Sequence, residues 1–72
     1  MTKPILITGG AGSVGRQLAS MLLNEGRKVR IFDLPAMDFA GLEGESNVEV
    51  IKGDITDFDS VSEALNNVGA IL

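Results

Sequence analysis

The run Thr8-Gly9-Gly10-Ala11-Gly12-Ser13-Val14-Gly15 packs four of the chain's nine glycines into eight residues. Such a run suits a backbone that turns tightly, with positive φ somewhere, and approaches a neighbour where a Cβ would collide. Two overlapping spacings are present, G-x-x-G-x-x-G through Gly9, Gly12 and Gly15, and G-x-G-x-x-G through Gly10, Gly12 and Gly15. Either one supplies a tight turn, a Cβ-free residue where backbone meets a bound group, and a close helix-to-strand contact at the last glycine. A helix opening at Ser13 would leave its first N–H groups without intrahelical acceptors. Together with the positive end of the helix dipole, those groups would face an anion such as a diphosphate.

The flanking pattern gives this turn its context. Pro4-Ile5-Leu6-Ile7-Thr8 is continuously apolar and β-branched, which predicts a first strand buried on both faces. From Ser13 the period changes: Val14, Leu18, Met21 and Leu22 recur at helical spacing and Asn24-Glu25-Gly26 supplies a stop, so a helix is expected over Ser13 to Glu25. Lys28 to Phe32 reads as a second strand with Val29 and Ile31 on one face and Asp33 at its carboxyl end. Pro35, Gly41 and Gly44 make Leu34 to Asn47 a loop with room for one helical turn, anchored by Met37, Phe39 and Leu42. Val48 to Lys52 reads as a third strand and Gly53-Asp54 as its turn. Asp57 is placed to N-cap a helix to Asn67 with apolar positions Phe58, Val61, Ala64 and Leu65. Gly69-Ala70-Ile71-Leu72 looks like the start of a fourth strand, broken off.

Alternating strands and helices of these lengths predict an α/β chain. The expectation is a partial Rossmann fold, a parallel sheet of about four strands in order 3-2-1-4 with one helix on each face. Residues 1–72 would then form the N-terminal part of an NAD(P)-binding Rossmann domain, truncated before the domain is complete.

Composition narrows the chemistry. Net charge is −4, and the six basic residues (Lys3, Arg16, Arg27, Lys28, Arg30, Lys52) form no stripe that could track a phosphate backbone, so nucleic acid is not an expected partner. Without cysteine or histidine there is no disulfide framework, no thiolate nucleophile and no imidazole base, and no metal site is expected. No apolar run approaches the roughly 20 residues that span a bilayer, and no signal-peptide pattern opens the chain, so no membrane partner and a cytoplasmic location are expected.

The glycine turn follows a buried strand, opens an amphipathic helix and precedes a second strand, with Asp33 lying 18 residues beyond Gly15. That is the context of a dinucleotide-binding fingerprint, although a glycine turn also opens helices for geometric reasons alone. In the binding reading Asp33 accepts hydrogen bonds from the adenosine ribose hydroxyls, and its charge repels a 2′-phosphate. The other reading makes it a solvated aspartate at a loop entry. NAD is therefore the expected cofactor and NADP is disfavoured. Arg16, the one residue that could weaken that choice, reads as an exposed arginine on a helix face.

The same residues resemble a known family. Thr8-Gly9-Gly10-Ala11-Gly12-Ser13-Val14-Gly15 resembles the T-G-x-x-G-x-x-G signature of the extended short-chain dehydrogenase/reductases, the NAD-dependent epimerase/dehydratase family. Gly53-Asp54-Ile55-Thr56-Asp57 resembles that family's segment after its third strand. Ser13-Val14 stands where the family commonly has two bulkier residues, at positions that act through backbone N–H groups. The resemblance implies a cofactor-binding set of Gly9, Gly12, Ser13, Val14, Gly15, Asp33, Asp54 and Ile55. Asp54 would contact the adenine amino group and the Ile55 N–H a ring nitrogen. A turn-forming aspartate is the alternative for Asp54. Asp57 and Asp59 read as helix-start residues, Met21, Met37, Phe32, Phe39 and Phe58 as packing residues, and Glu43, Glu45 and Glu49 as a solvated rim.

Members of that family use a tyrosine and a lysine placed well downstream, and this chain has no tyrosine. No catalytic residue is assigned, and these residues alone are not expected to catalyse a reaction. The favoured reading is the NAD-binding segment of an epimerase/dehydratase or oxidoreductase acting on a sugar nucleotide. A non-catalytic dinucleotide-binding or sensing module, or a folded fragment with a structural glycine turn, are the alternatives. The unfinished strand at Ala70 to Leu72 would favour self-association through an open sheet edge.

Overall fold

The computed structural model describes residues 3–72. Its elements are β1 (Ile5–Thr8), α1 (Ser13–Asn24), β2 (Val29–Asp33), β3 (Val48–Lys52), α2 (Phe58–Leu65) and β4 (Ala70–Ile71). The strands form one parallel sheet in the order β3-β2-β1-β4, as expected. β2 is shifted one residue from its predicted span. Its register pairs Val29 with Val48 and carries the ladder to Asp33 opposite Lys52, which draws Asp33 into the strand and leaves Lys28 outside.

Side chains alternate across the sheet. Ile7, Val29 and Ile31 pack under α1 with Ala19, while Leu6 and Phe32 pack under α2 with Ala64, so the helices cover opposite faces. β1 is buried through Ile5, Leu6 and Ile7, as a strand covered on both sides must be.

The buried stripe of α1 differs from the predicted one. Gly15 and Ala19 are buried and Leu18, Leu22 and Leu23 flank them, a spacing of i, i+3, i+4, i+7 and i+8. Val14 and Met21 fall outside this stripe and are 70% and 62% exposed, so Met21 is not core filler. The helix lies close to the sheet on its smallest residues, and an apolar pattern weighted toward large side chains misplaces that face. It ends one residue earlier than predicted, with the Gly26 N–H bonded to Leu23 O and the Arg27 N–H to Leu22 O, the two bonds of a Schellman motif.

On the other face, α2 buries Ala64 and half-buries Val61, but Phe58 is 81% exposed and Leu65 is also exposed. Phe58 is therefore not a packing residue within this chain. A helix of eight residues presents only a narrow stripe to the sheet. Asp57 stands at the N-cap position but makes no capping bond to the backbone. Its carboxylate accepts the Ser60 hydroxyl at 2.8 Å instead.

The segment between β2 and β3 folds over the α1 side, where Phe39 and Leu42 join the core, whereas Met37 remains exposed. Two of the three glutamates expected on a solvated rim are paired. Glu43 meets Lys52 Nζ at 3.2 Å, with that ammonium 5.1 Å from the Phe39 ring centroid. Glu49 meets Arg30 at 3.3 Å. Arg30, buried on β2, also donates to the carbonyls of Ala64 and Asn66 at the carboxyl end of α2. It thereby satisfies carbonyls that the helix itself leaves open.

No helix among the described residues is long and apolar enough to cross a membrane.

Candidate functional site

Three parallel strands end at one edge, and their carboxyl ends open into a cleft of about 440 Å³ lined by Thr8, Gly9, Phe32, Asp33, Leu34, Gly53, Asp54 and Ile55. In an open α/β sheet this is where the loops after the strands diverge and a ligand can enter. Four residues expected at a binding site, Gly9, Asp33, Asp54 and Ile55, line this one cleft. Gly12, Ser13, Val14 and Gly15 do not line it. They form the start of α1 and its N-cap.

The glycine turn leaves β1 with the Gly9 N–H bonded to Phe32 O at 2.8 Å and closes through the Gly12 N–H to Gly9 O at 3.2 Å. Gly9 has φ +67°, in the left-handed region that favours glycine. A Cβ on Gly15 would lie 2.5 Å from Gly10 Cα and 2.7 Å from Gly9 O. The last glycine therefore packs against the turn itself rather than against a strand side chain, which refines the helix-to-strand contact expected there. Gly10 has its own constraint, since a Cβ on it would come within 2.7 Å of Ile31 Cγ2.

Gly12 is different. It adopts φ −77° and ψ 173°, extended backbone open to any residue, and an added Cβ would meet only Gly9 O at 3.5 Å, an ordinary contact. The packing of the chain does not require glycine at this position. Beyond it α1 begins with no side-chain cap and no acidic residue in its first turn, so no side chain of the helix itself balances its positive end. The Arg16 N–H is the first to meet a carbonyl of the turn, Gly12 O at 2.9 Å.

Asp33 sits where β2 ends beside this turn. Its Oδ2 accepts the Ala11 N–H at 3.0 Å and its Oδ1 the Leu34 N–H at 2.8 Å. A carboxylate offers about four acceptor positions, so each oxygen keeps one for a further donor. Asp33 is thus more than a solvated loop aspartate. Asp54 shapes the turn after β3, where Oδ1 accepts both the Thr56 N–H at 2.9 Å and the Thr56 hydroxyl at 2.8 Å. Those two bonds hold its carboxyl below the usual carboxylate range, the backbone bond contributing most.

Sequence reasoning missed the Asp33–Ala11 bond and misjudged Arg16. Arg16 is half-buried rather than exposed on a helix face, and its guanidinium donates to the carbonyls of Ala11, Asp38 and Ala40. Backbone carbonyls as partners leave no residue-type signature that a pattern could have revealed. Among the described residues no group of three or more acidic side chains is arranged to hold a metal ion.

Comparison with known proteins agrees with this geometry. The model of the 3-beta hydroxysteroid dehydrogenase/isomerase family matches residues 6–72. A 3 beta-hydroxysteroid dehydrogenase/Delta 5-->4-isomerase of Mycobacterium tuberculosis is 41% identical over 68 residues, 93% of this chain and 17% of that protein. WbmG of Bordetella bronchiseptica, solved in complex with NAD and UDP, superposes with a TM-score of 0.79 at 31% identity, covering 92% of this chain and 22% of that one. A short-chain dehydrogenase/reductase superfamily protein from Agrobacterium tumefaciens, solved with bound NAD, gives a TM-score of 0.73 at 36% identity over 93% of this chain and 18% of its own. The chain thus spans about a fifth of the length of the proteins it matches.

Proposed function

The chain belongs to the 3-beta hydroxysteroid dehydrogenase/isomerase family, and on that premise we propose that it is the NAD-binding segment of a short-chain dehydrogenase/reductase. The observation that carries this reading is Gly12, a Cβ-free position that the chain's own packing does not need, in front of an uncapped helix start. A diphosphate fits there. The N–H groups of Ser13, Val14 and Gly15 would hold its oxygens, with Gly9 and Gly12 leaving room for it. Asp33 would take the adenosine ribose hydroxyls on its two remaining acceptor positions, and Asp54 and Ile55 would border the adenine. WbmG and the Agrobacterium protein, both solved with NAD, support the choice of dinucleotide.

The site favours NAD over NADP. A 2′-phosphate would approach the Asp33 carboxylate, and three of the five Arg16 N–H donors are held by the carbonyls of Ala11, Asp38 and Ala40. Bound NAD supplies a hydride acceptor; this chain's residues bind and orient its adenosine half. No residue of this chain is assigned a role in acting on a substrate. A hydroxysteroid substrate is supported by the family and the Mycobacterium relative, and a sugar nucleotide by WbmG with its UDP.

Chemical-shift mapping of the full chain with NAD and with ADP-ribose tests this function. Both should move the amides of Gly12 to Gly15 and of Asp33 and Leu34, with similar affinity, because every assigned contact lies on the adenosine side. Folded protein whose amides stay in place at millimolar NAD would overturn it.

A further inference from the structure

Ala11 is held from both ends of its peptide framework. Its N–H is taken by Asp33 Oδ2 at 3.0 Å, and its carbonyl accepts Arg16 Nε at 2.9 Å. The same guanidinium donates from Nη1 to Ala40 O at 2.8 Å and from Nη2 to the Asp38 carbonyl. One planar fork therefore joins the glycine turn to the stretch after β2 whose Phe39 and Leu42 sit in the α1-side core. A lysine has the charge and the reach but lacks the fixed fork that serves separate carbonyls at once.

Resting on the NAD reading above, we infer that Arg16 is a positioning residue of the cofactor site. It holds the Ala11 carbonyl and through it the Ala11 backbone, whose N–H in the preceding peptide holds the carboxylate of Asp33, and it anchors the glycine turn to the β2–β3 segment. Three of its five N–H donors are committed to backbone oxygens, so its role is to hold backbone rather than to take a 2′-phosphate. The acid that reads the ribose is thus oriented by a cation that touches neither the acid nor the cofactor.

The test is calorimetric titration of NAD and NADP into the full chain and into Arg16→Lys and Arg16→Gln, with each fold verified by circular dichroism at the titration temperature. The Ala11 amide resonance is followed in the unliganded proteins. R16K should stay folded, bind NAD about tenfold more weakly, the scale of one charge-assisted hydrogen bond, and show an upfield shift of the Ala11 amide as its bond to Asp33 loosens. R16Q keeps a planar donor for one carbonyl and should lose less than R16K, an order that general destabilisation by loss of charge would reverse. Variants that bind NAD as tightly as the wild type and leave the Ala11 amide in place overturn the positioning role alone. A loss confined to NADP also overturns it, by making Arg16 a phosphate ligand. A folded wild-type chain that binds no NAD instead overturns the proposed function, and this role with it.

Discussion

Asp33 holds Ala11: the carboxylate at the end of β2 accepts the N–H of the residue at the crown of the glycine turn, at 3.0 Å. The acid is therefore both a fastener of the turn and, in the function proposed, the acceptor for the ribose. Replacing it tests both roles. Asp33→Ala is expected to weaken NAD binding about tenfold, the scale of hydrogen bonds to a charged group, and to strengthen NADP binding by removing the repulsion of its 2′-phosphate. Calorimetry with both cofactors reads the two changes. Unchanged affinity for NAD would count against the ribose assignment.

Gly15 faces backbone and cannot yield. A Cβ 2.5 Å from Gly10 Cα must displace the turn or the helix, so Gly15→Ala should cost about 3 kcal/mol in a urea melt, at the upper end for an overpacked site. A stability within about 0.5 kcal/mol of wild type, the range of an unconstrained surface change, would mean the turn is looser than the structure shows.

Arg30 and Glu49 form an ion pair, but their exposures differ, at 10% and 59% for the side chains. Arg30→Met leaves the carbonyls of Ala64 and Asn66 without their donor and should cost about 2 kcal/mol. Glu49→Gln removes only the exposed partner and should cost about 0.5 kcal/mol. Equal losses in denaturant melts would show that the pair, and not the helix end, is what Arg30 serves.

The Asp54 carboxyl is lowered from its ordinary value of 3.8 by its bonds to Thr56. A group depressed on folding contributes stability above its unfolded value and loses it as pH falls through the folded one. The turn after β3 should therefore persist through mildly acidic conditions, and the Thr56 amide shift should titrate with a midpoint below 3.8. A midpoint at or above that value would contradict the hydrogen bonds that shape the turn. Thr56→Val, which keeps the N–H donor and removes the hydroxyl, should return part of the shift.

Much of this was legible in the sequence, and what was not has a physical reason. β1 and the order of the sheet could be read because a strand buried on both faces carries an unbroken apolar run, and because strand-helix alternation leaves one handed way to wind. Asp33 was expected from its place at the carboxyl end of a strand, and Asp54 and Ile55 from the family resemblance of the segment after β3; all three line one cleft because the ends of parallel strands converge on one edge. The core face of α1 was misread because Gly15 and Ala19 carry little hydrophobicity but permit close approach. Phe58 and Met21 looked like core for the opposite reason: a large apolar side chain is a strong signal wherever it points. Arg16 and Arg30 were hidden because both bond chiefly to backbone carbonyls, which every residue possesses.

Gly12, in the function proposed, is kept free of a Cβ for a dinucleotide and not for the fold. Gly12→Ser adds that carbon together with a favourable N-cap hydroxyl able to occupy the N–H groups at the start of α1. Calorimetric titration of NAD into wild-type and G12S chains, each verified as folded, is the most direct measurement. G12S should have equal or higher stability, the wild type should bind saturably, and affinity should fall at least about tenfold in the variant, through loss of charge-assisted hydrogen bonds to the diphosphate. A folded wild type that releases no heat with millimolar NAD, or a G12S chain that binds as tightly as the wild type, would contradict that role of Gly12.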